Sequence, residues 1–481
     1  LLDKNDDVGG TWLEADYPGC RVDNPNHNYS YSFAQRHDWP GHYSAQSVLL
    51  EYFRTCADAF DVRRHVRFGC TVSSAAWDGE AARWTVRYTD AAGTGHELTA
   101  SVLISAVGQL NRPKYPTDVE GFGSFAGDAF HSAAWRHDVP LEGRRVVCIG
   151  TGASALQFLP HVAERAASLV VLQRTAPWLA PTADYHLPVA RGLTWLYSHL
   201  PGYSEFTRFF IFWRMGDGAL EAVRVDPAWQ GDGASVSAVS EFTRQVLTGY
   251  LRDQFADRPD LVEKVVPTYP VGGKRSLLDN GVWMAALQRD NVSLVTDPIS
   301  EITEAGIVTA DGAARDFDVI IYGTGFHASK FLEPMKIRGR GGADLHQTWD
   351  GDPRAYLGMT TPGFPNLFMI YGPNTNIVVN GSIIFFSECS VRYIVGCLKL
   401  LAETDARAME PRREVHDAFN ARVDAANALM AWGAPQVSSW YKNEKGRVTQ
   451  NWPFALVDYW RATLAPDPGD FVIEKAPEPV A

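Results

Sequence analysis

A glycine-rich turn near the middle of the chain has the residue types needed to hold a pyrophosphate. Gly150-Thr151-Gly152-Ala153-Ser154-Ala155 follows a stretch that predicts a strand and opens one that predicts a helix. In such a turn the first glycine permits the tight bend, the second lets phosphates approach the backbone, and the small sixth residue packs helix on strand. Free N–H groups at the helix start then bind the phosphates. The turn predicts a dinucleotide site; the alternative is a glycine turn without a ligand.

The strand predicted after this turn ends at a cation. A site for NAD places Asp or Glu about twenty residues beyond the first glycine, where the carboxylate binds ribose hydroxyls. Arg174 takes that place in Gln173-Arg174-Thr175. Because a guanidinium pairs well with a 2′-phosphate, the sequence favours NADP over NAD. The alternative is an ordinary surface arginine.

A second dinucleotide site is indicated near the N-terminus. Asp3 lies where an acid would bind a ribose, and Val8-Gly9-Gly10-Thr11-Trp12 follows as a turn that lets the backbone approach a flat ligand. Gly108 and Gly325 end two further predicted strands and allow close approach, although glycine after a strand is common. The chain opens at Leu1 without a preceding glycine-rich loop, so we expect about forty further residues before it, the size of a first β-α-β segment.

The elements that must position these turns alternate between strands and helices. Apolar runs predict buried parallel strands at 101–105, 144–150, 169–174 and 318–322, a helix at 155–167, and a tryptophan-rich helical insertion at about 187–266. This alternation predicts an α/β protein with two doubly wound, Rossmann-like dinucleotide-binding domains and a helical insertion.

The composition is that of an ordinary globular protein. The chain has 481 residues and a net charge of −12, which argues against a protein that coats nucleic acid or an anionic membrane. Its six cysteines lack C-x-x-C pairing and metal-ligand spacing, so we expect reduced, buried thiols, no metal site and a cytoplasmic protein. The most apolar stretch, 381–401, carries Glu388, Arg392 and Lys399 and predicts a buried helix instead of a membrane span.

An eleven-residue motif precedes the Gly150 turn. Phe125-Ala126-Gly127-Asp128-Ala129-Phe130-His131-Ser132-Ala133-Ala134-Trp135 fits F-x-G-x-x-x-H-x-x-x-W at every fixed position. With this motif and the turn after it, the chain resembles the type I Baeyer–Villiger monooxygenases of the flavin-containing monooxygenase superfamily. The resemblance extends over nearly the whole chain and includes Gly9-Gly10-Thr11-Trp12, Tyr17-Pro18-Gly19, Asp23, Gly273-Lys274-Arg275, Tyr322-Gly323-Thr324-Gly325-Phe326 and Gly372-Pro373-Asn374.

The resemblance implies an enzyme with bound FAD that uses NADPH and dioxygen. In the family, reduced flavin captures oxygen as a peroxide, whose anion attacks a ketone carbonyl and yields an ester or lactone. We therefore expect a small-molecule ketone as substrate, no nucleic-acid or membrane partner, and a monomer or weak homo-oligomer. The implied domains are the first part of an FAD-binding domain at 1–139, an NADP-binding domain at 140–315, and the second part of the FAD-binding domain with the C-terminal region at 316–481.

Residue roles carry over from the resemblance one at a time. Arg275 matches the active-site arginine, whose fixed positive charge would stabilise the peroxide anion and the oxyanion of the ketone adduct. Asp23 matches the carboxylate that orients it. Lys274 matches a partner of Arg174 on the 2′-phosphate. The residues expected at FAD or NADP are Asp3, Gly9, Gly10, Thr11, Trp12, Asp23, Gly108, Gly150, Thr151, Gly152, Ala153, Ser154, Arg174, Lys274 and Gly325.

Two alternative functions stay open. A flavin monooxygenase that oxidises nitrogen or sulfur needs the protonated hydroperoxide and has no requirement for Asp23 with Arg275, so the presence of both favours ketone chemistry. From another class, the chain could be a non-catalytic nucleotide-binding protein or an uncoupled NADPH oxidase. We expect the substrate pocket to draw on the segments 195–213, 374–380 and 438–441.

Overall fold

The structure, a computed structural model, describes residues 1–379 and 381–475. Asn380, the last residue of one predicted pocket segment, lies outside the described residues, as does the proline-rich tail at 476–481. The helices in the described part are α1 (Thr11–Glu14), α2 (Gln46–Ala59), α3 (Ala153–Arg165), α4 (Arg191–His199), α5 (Tyr203–Met215), α6 (Ala238–Gln254), α7 (Pro259–Val265), α8 (Val282–Leu287), α9 (Leu345–Trp349), α10 (Ile383–Glu403), α11 (Arg413–Ala428) and α12 (Leu456–Ala462).

The strands lie in several small sheets. They are β1 (Thr71–Asp78), β2 (Arg83–Thr89), β3 (Gly95–Ala100), β4 (Leu103–Ser105), β5 (Asp128–His131), β6 (Arg145–Ile149), β7 (Ser168–Leu172), β8 (Leu179–Pro181), β9 (Leu277–Asp279), β10 (Val292–Val295), β11 (Ile299–Ile302), β12 (Gly306–Thr309), β13 (Ala314–Asp316), β14 (Val319–Tyr322), β15 (Lys336–Arg338), β16 (Leu367–Met369), β17 (Ala406–Pro411) and β18 (Phe471–Lys475).

A five-stranded sheet in the order β10-β7-β6-β14-β5 carries the Gly150 turn at the end of β6. Every pair in it is parallel. Both faces are covered: Val146 and Cys148 of β6 pack towards α3, whereas Val147 and Ile149 pack against Ile302 and its neighbours. Burial on both faces explains why β6 and β14 are continuous apolar runs. The strands predicted at 144–150, 169–174 and 318–322 are confirmed.

This sheet takes strands from both sides of the interval 140–315. β5 precedes that interval and β14 follows it, and the two pair in parallel. Parallel strands need crossover connections, so strands that are distant along the chain become neighbours in the sheet. In the structure, the sheet that carries the Gly150 turn therefore extends beyond the segment assigned to the NADP-binding domain.

The remaining sheets and helices build the other half of the molecule. One sheet has the order β15-β1-β2-β3, and β4 pairs in parallel with β16, which confirms the strand predicted at 101–105. Helix α10 is the buried helix expected at 381–401 and packs its Tyr393 and Cys397 into a core with Phe368. Among the described residues, no helix combines the length and the apolar character that crossing a lipid bilayer requires.

Two further expectations from the sequence are confirmed. The segment 187–266 contains four helices, α4 to α7. All six cysteines are buried and unpaired within the described part of the chain. Burial raises the pKa of Cys20 and Cys389 to about 11, so these thiols stay protonated.

The segment before Asp23 lies flat on helix α3. Tyr17 meets Phe158 of the helix edge-on, with ring centroids 6.1 Å apart. Gly19 has φ +78°, and a Cβ there would lie 2.5 Å from the backbone oxygen of Gln157. Only glycine permits both this backbone conformation and this close approach. The glycine of Tyr17-Pro18-Gly19 therefore places the Asp23 segment against helix α3.

We expect Gly19→Ala to lower the free energy of unfolding. The left-handed φ costs about 1 kcal/mol, and the clash with the helix backbone adds about 1–3 kcal/mol. Gly93→Ala is the matched control, because Gly93 also has a left-handed φ of +80° but open space around its Cβ position. Thermal or urea unfolding of both variants measures the difference. Equal destabilisation would show that the close approach at Gly19 has no energetic weight.

Candidate active site

An ion pair lies at the centre of the candidate site. Nε of Arg275 donates to Oδ2 of Asp23 at 2.6 Å, although the two residues are 252 positions apart in the sequence. The side chains are 30% and 34% exposed, so the pair is packed in the protein yet open on one side. Burial lowers and Asp23 raises the pKa of Arg275, and the net direction is upward. The guanidinium is a permanent cation.

The terminal nitrogens of Arg275 are held less tightly than Nε. Nη1 lies 3.5 Å from the carbonyl oxygen of Val378, and Nη2 lies 3.4 Å from the backbone oxygen of Asp23. Both distances are at the far end of the hydrogen-bond range. The short bond to Asp23 therefore fixes the guanidinium, and its terminal N–H groups can donate to a further oxygen.

Three phenols, one buried and two half-buried, lie near the ion pair. The hydroxyl of Tyr441 accepts the backbone N–H of Arg275 at 3.1 Å, and that of Tyr371 donates to Oδ1 of Asn376 at 2.7 Å. Burial raises the pKa of Tyr29 and of Tyr441 to about 12. Burial is also the main cause that raises the pKa of Tyr371, and the neighbouring phenols of Tyr29 and Tyr441 raise it further. At neutral pH these groups are uncharged donors, not bases.

An open cavity of about 1390 Å³ adjoins this site through Tyr29. Its wall includes Gly9, Thr11 and Trp12, and Nε1 of Trp12 donates to the Tyr29 hydroxyl at 3.2 Å. The volume exceeds the roughly 300–1,000 Å³ that is usual for ligand sites. Asn28 also lines the cavity, and its buried Nδ2 has no hydrogen-bond partner among residues 1–379 and 381–475. A wide cavity with aromatic walls and an unsatisfied donor fits a flat, polar group such as FAD.

Four other residues predicted at a cofactor lie outside the wall of this cavity. Oδ1 of Asp3 accepts the backbone N–H of Asn5 at 2.9 Å and so caps a local turn. Gly10, Gly108 and Gly325 have φ of +51°, +73° and +78°, and a Cβ at any of them would meet nothing within 4 Å. Their backbone conformations favour glycine, and the space beside them is open.

The Gly150 turn has the geometry of a phosphate cradle. It links the end of β6 to the start of α3, and Gly150 has φ +113° with its Cβ position 2.4 Å from the oxygen of Gly323. No side chain caps α3 at Gly152, where a Cβ would meet nothing within 4 Å. The first N–H groups of the helix, at Ala153 and Ser154, are thus available to a pyrophosphate.

Two cations converge beside this cradle. Thr151 donates its hydroxyl to the backbone oxygen of Thr175 at 3.4 Å, which ties the turn to the loop that carries Arg174. Burial, and then the charge of Arg174, lowers the pKa of Lys274 to about 8. Lys274 Nζ lies 4.9 Å from the centre of the Tyr269 ring. Neither cation has a carboxylate partner in the part of the chain that the structure describes. Paired cations without a counter-ion fit a 2′-phosphate.

His131 of the eleven-residue motif is fully buried at the end of β5. Its Nδ1 accepts the backbone N–H of Ala133 at 3.0 Å, and burial lowers its pKa to about 4. The ring packs against Tyr115 and Phe326. A neutral, enclosed imidazole of this kind stabilises the fold and does not transfer protons to a substrate.

Sequence patterns do not point to several of the residues at the site. Tyr29 and Tyr371 belong to no pattern, whereas Tyr441 lies in the predicted pocket segment 438–441. From the segment 195–213, Phe209 and Phe212 reach the cavity wall, whereas Trp195 and Trp213 are 58% and 61% exposed. A phenol in the core and a phenol at a site have the same sequence signature, so only contacts distinguish them.

Comparison with known proteins assigns the chain to a family. Residues 22–189 match the model of the FMO-like, flavin-binding monooxygenase-like family. A Baeyer–Villiger monooxygenase of Streptomyces coelicolor is 35% identical over 100% of this chain and 89% of its own length. One of Pseudomonas aeruginosa is 32% identical over 94% of this chain and 82% of its own. The chain belongs to the Baeyer–Villiger monooxygenases.

Solved structures agree with this assignment. A closed crystal structure of cyclohexanone monooxygenase superposes with a TM-score of 0.84 at 27% identity, over 99% of this chain and 94% of that one. An oxidised steroid monooxygenase bound to NADP gives 0.83 at 30% identity, over 99% and 94%. The predicted family and the α/β fold with Rossmann-like domains are confirmed. As a Baeyer–Villiger monooxygenase, the chain uses FAD and NADPH to insert an oxygen atom from O₂.

The discrimination between NADP⁺ and NAD⁺ should fall as the pH rises through about 8, the pKa of Lys274. The lysine is charged below that pH and neutral above it, and a bound phosphate shifts the fall upward by holding the proton. We expect the affinity ratio to drop about tenfold between pH 7 and pH 10, the weight of one charge-assisted contact. Titration of both nucleotides at each pH measures it.

Two variants serve as controls for this prediction. Lys274→Arg keeps its charge at every pH and should flatten the profile, whereas Arg174→Ala should weaken NADP⁺ and leave NAD⁺ unchanged. A ratio that does not vary with pH in the unmodified protein would contradict the role of Lys274. Equal losses for both nucleotides in Arg174→Ala would contradict the 2′-phosphate assignment.

Proposed function

We propose that this monooxygenase converts a ketone to an ester or lactone, with Arg275 and Asp23 as the charged groups at the reacting centre. The observation that carries the proposal is the 2.6 Å bond between their side chains. It joins residues from distant parts of the chain beside a cavity lined by Trp12 and Tyr29. An ordinary ion pair on the protein surface does not join such distant segments beside a cavity.

The nucleotide sites support the same proposal. FAD would lie in the cavity beside Gly9, Thr11 and Trp12, and NADP would bind through the Gly150 turn with Arg174 and Lys274. When bound, FAD reduced by NADPH supplies the activated oxygen. The rest of the chemistry falls to the side chains of this chain, which must bind the ketone, orient it and stabilise the charge that develops on its oxygen.

Arg275 is suited to stabilising developing negative charge. Its terminal N–H groups have only long contacts, so they can donate to an oxygen that becomes anionic during the reaction. Donors fixed in advance in a partly desolvated site cost no reorganisation when the charge appears. Asp23 holds Nε and keeps the plane of the guanidinium in one orientation. The pair thus binds and orients an anionic oxygen.

The tyrosines complement this role because they do not take protons. With pKa values of about 12, Tyr29 and Tyr441 stay neutral across the working pH range. The site therefore combines one permanent cation with neutral hydrogen-bond donors. This arrangement favours a reaction that proceeds through anions over one that requires a protonated oxidant.

We expect Arg275→Ala to bind FAD and consume NADPH while ester formation falls by about 10²- to 10³-fold, the usual cost of removing a transition-state donor. The assay supplies NADPH and an aryl ketone and measures ester by mass spectrometry, with NADPH consumption followed by absorbance. Arg252→Ala is the control, because Arg252 is exposed on α6, away from the cavity wall. Ester yield should be unchanged there.

Other outcomes of the assay overturn the proposal in distinct ways. An unchanged ester yield in Arg275→Ala would remove this residue from the mechanism. Sulfoxide from thioanisole without ester from any ketone would identify an enzyme that oxidises nitrogen or sulfur. Failure of the purified chain to bind flavin on reconstitution would support a non-catalytic nucleotide-binding protein.

A further inference from the structure

One side-chain amide joins helix α3 to the segment that carries Asp23. Oε1 of Gln157 accepts the Tyr17 hydroxyl at 3.0 Å and the backbone N–H of Arg21 at 3.3 Å. Its Nε2 donates to the backbone oxygen of Arg21 at 3.0 Å and to the Tyr185 hydroxyl at 2.8 Å. An amide has two acceptor lone pairs and two N–H donors, so these bonds use its full capacity.

Two of the hydrogen-bond partners of Gln157, Tyr17 and Arg21, lie in the segment that precedes Asp23. Arg21 immediately precedes Val22 and Asp23, and its Nη1 donates to the backbone oxygen of Tyr185 at 2.7 Å. Gln157 lies three residues after Ser154 of the phosphate cradle, on the same helix α3. Through its bonds to Tyr17 and Arg21, Gln157 thus connects the helix that begins at the cradle to the Asp23 segment.

The segment that carries Gly19 packs tightly against helix α3. Gly19 lies against the backbone oxygen of Gln157, and its Cβ position is also 2.7 Å from Nε2 of His161. The N–H of Val22 then donates to the backbone oxygen of Ser44 at 3.1 Å, which fixes the chain just before Asp23. A helix is rigid over a few turns, so whatever fixes the start of α3 also constrains this segment.

We propose that Gln157 is a positioning residue that couples nucleotide binding on α3 to the alignment of Asp23 with Arg275. A pyrophosphate at the N-terminus of α3 steadies the helix, and Gln157 transmits this order to residues 17–23. The carboxylate is then held where it orients the guanidinium. This inference rests on the proposed function for the roles of Asp23 and Arg275, but the coupling itself is a property of the chain.

Residue-resolved hydrogen exchange tests the coupling without any turnover. The probe is the amide of Val22, which bonds to Ser44 and not to Gln157. In the flavin-loaded protein, we expect saturating NADP⁺ to slow exchange at Val22 by about tenfold, a common size for coupling between sites. In Gln157→Leu, which keeps the size of the side chain but makes no hydrogen bonds, NADP⁺ should still bind and exchange at Val22 should not change.

Two further variants keep the test decisive. Glu164→Gln, on the exposed face of the same helix, is the control and should behave as the unmodified protein. Tyr17→Phe removes one of the four bonds and should reduce the NADP⁺ effect only in part, which provides a reading if Gln157→Leu does not fold. If Gln157 had only a structural role, exchange at Val22 would be faster in Gln157→Leu than in the unmodified protein, by the same factor with and without NADP⁺.

Each result separates this inference from the proposed function. No effect of NADP⁺ at Val22 in the unmodified protein would overturn the coupling, as would an undiminished effect in Gln157→Leu. Loss of ester formation in every assay would overturn the ketone chemistry and leave the exchange result standing. If the coupling and the ketone chemistry both hold, the ester formed per NADPH consumed should fall about tenfold in Gln157→Leu, because Asp23 is no longer fixed beside Arg275.

Discussion

The site depends on one partly buried guanidinium and the carboxylate that holds it. Removing water from a charge costs free energy unless a partner and hydrogen bonds compensate. Asp23 supplies the charge, and Tyr441 supplies a hydrogen bond to the backbone of Arg275. Three distant segments must therefore meet at this point for the cation to be stable there.

The distribution of charge follows the same requirement. The chain carries a net charge of −12, yet Arg174 and Lys274 lie together without a carboxylate in the described part of the chain. Under the proposed function, the paired cations would bind phosphate, and the single compensated cation Arg275 would lie where an anionic oxygen develops. The phenols near Arg275 are neutral because desolvation raises their pKa.

Helix α3 connects these two centres. Its first turn has no side-chain cap and is proposed to bind the phosphates, and its next turns pack under Gly19 and hold Arg21 through Gln157. The sheet behind it is apolar on both faces and does not yield easily to strain. A rigid helix on a rigid sheet can carry a change at one site to another without any large motion.

Local chemistry in the sequence determined the nucleotide turn, the strands around it and the cation after it, because these features lie within one strand–turn–helix unit. The pairing of Asp23 with Arg275 could be inferred only through a family motif, since 252 residues separate them. Gln157 went unnoticed and Tyr441 was predicted only as part of a pocket segment, because their bonds span 136 and 166 residues and their types suit core, surface and site alike. Periodicity fixes which face of an element is apolar. Which polar group meets another across the sheet depends on packing that only the tertiary structure decides.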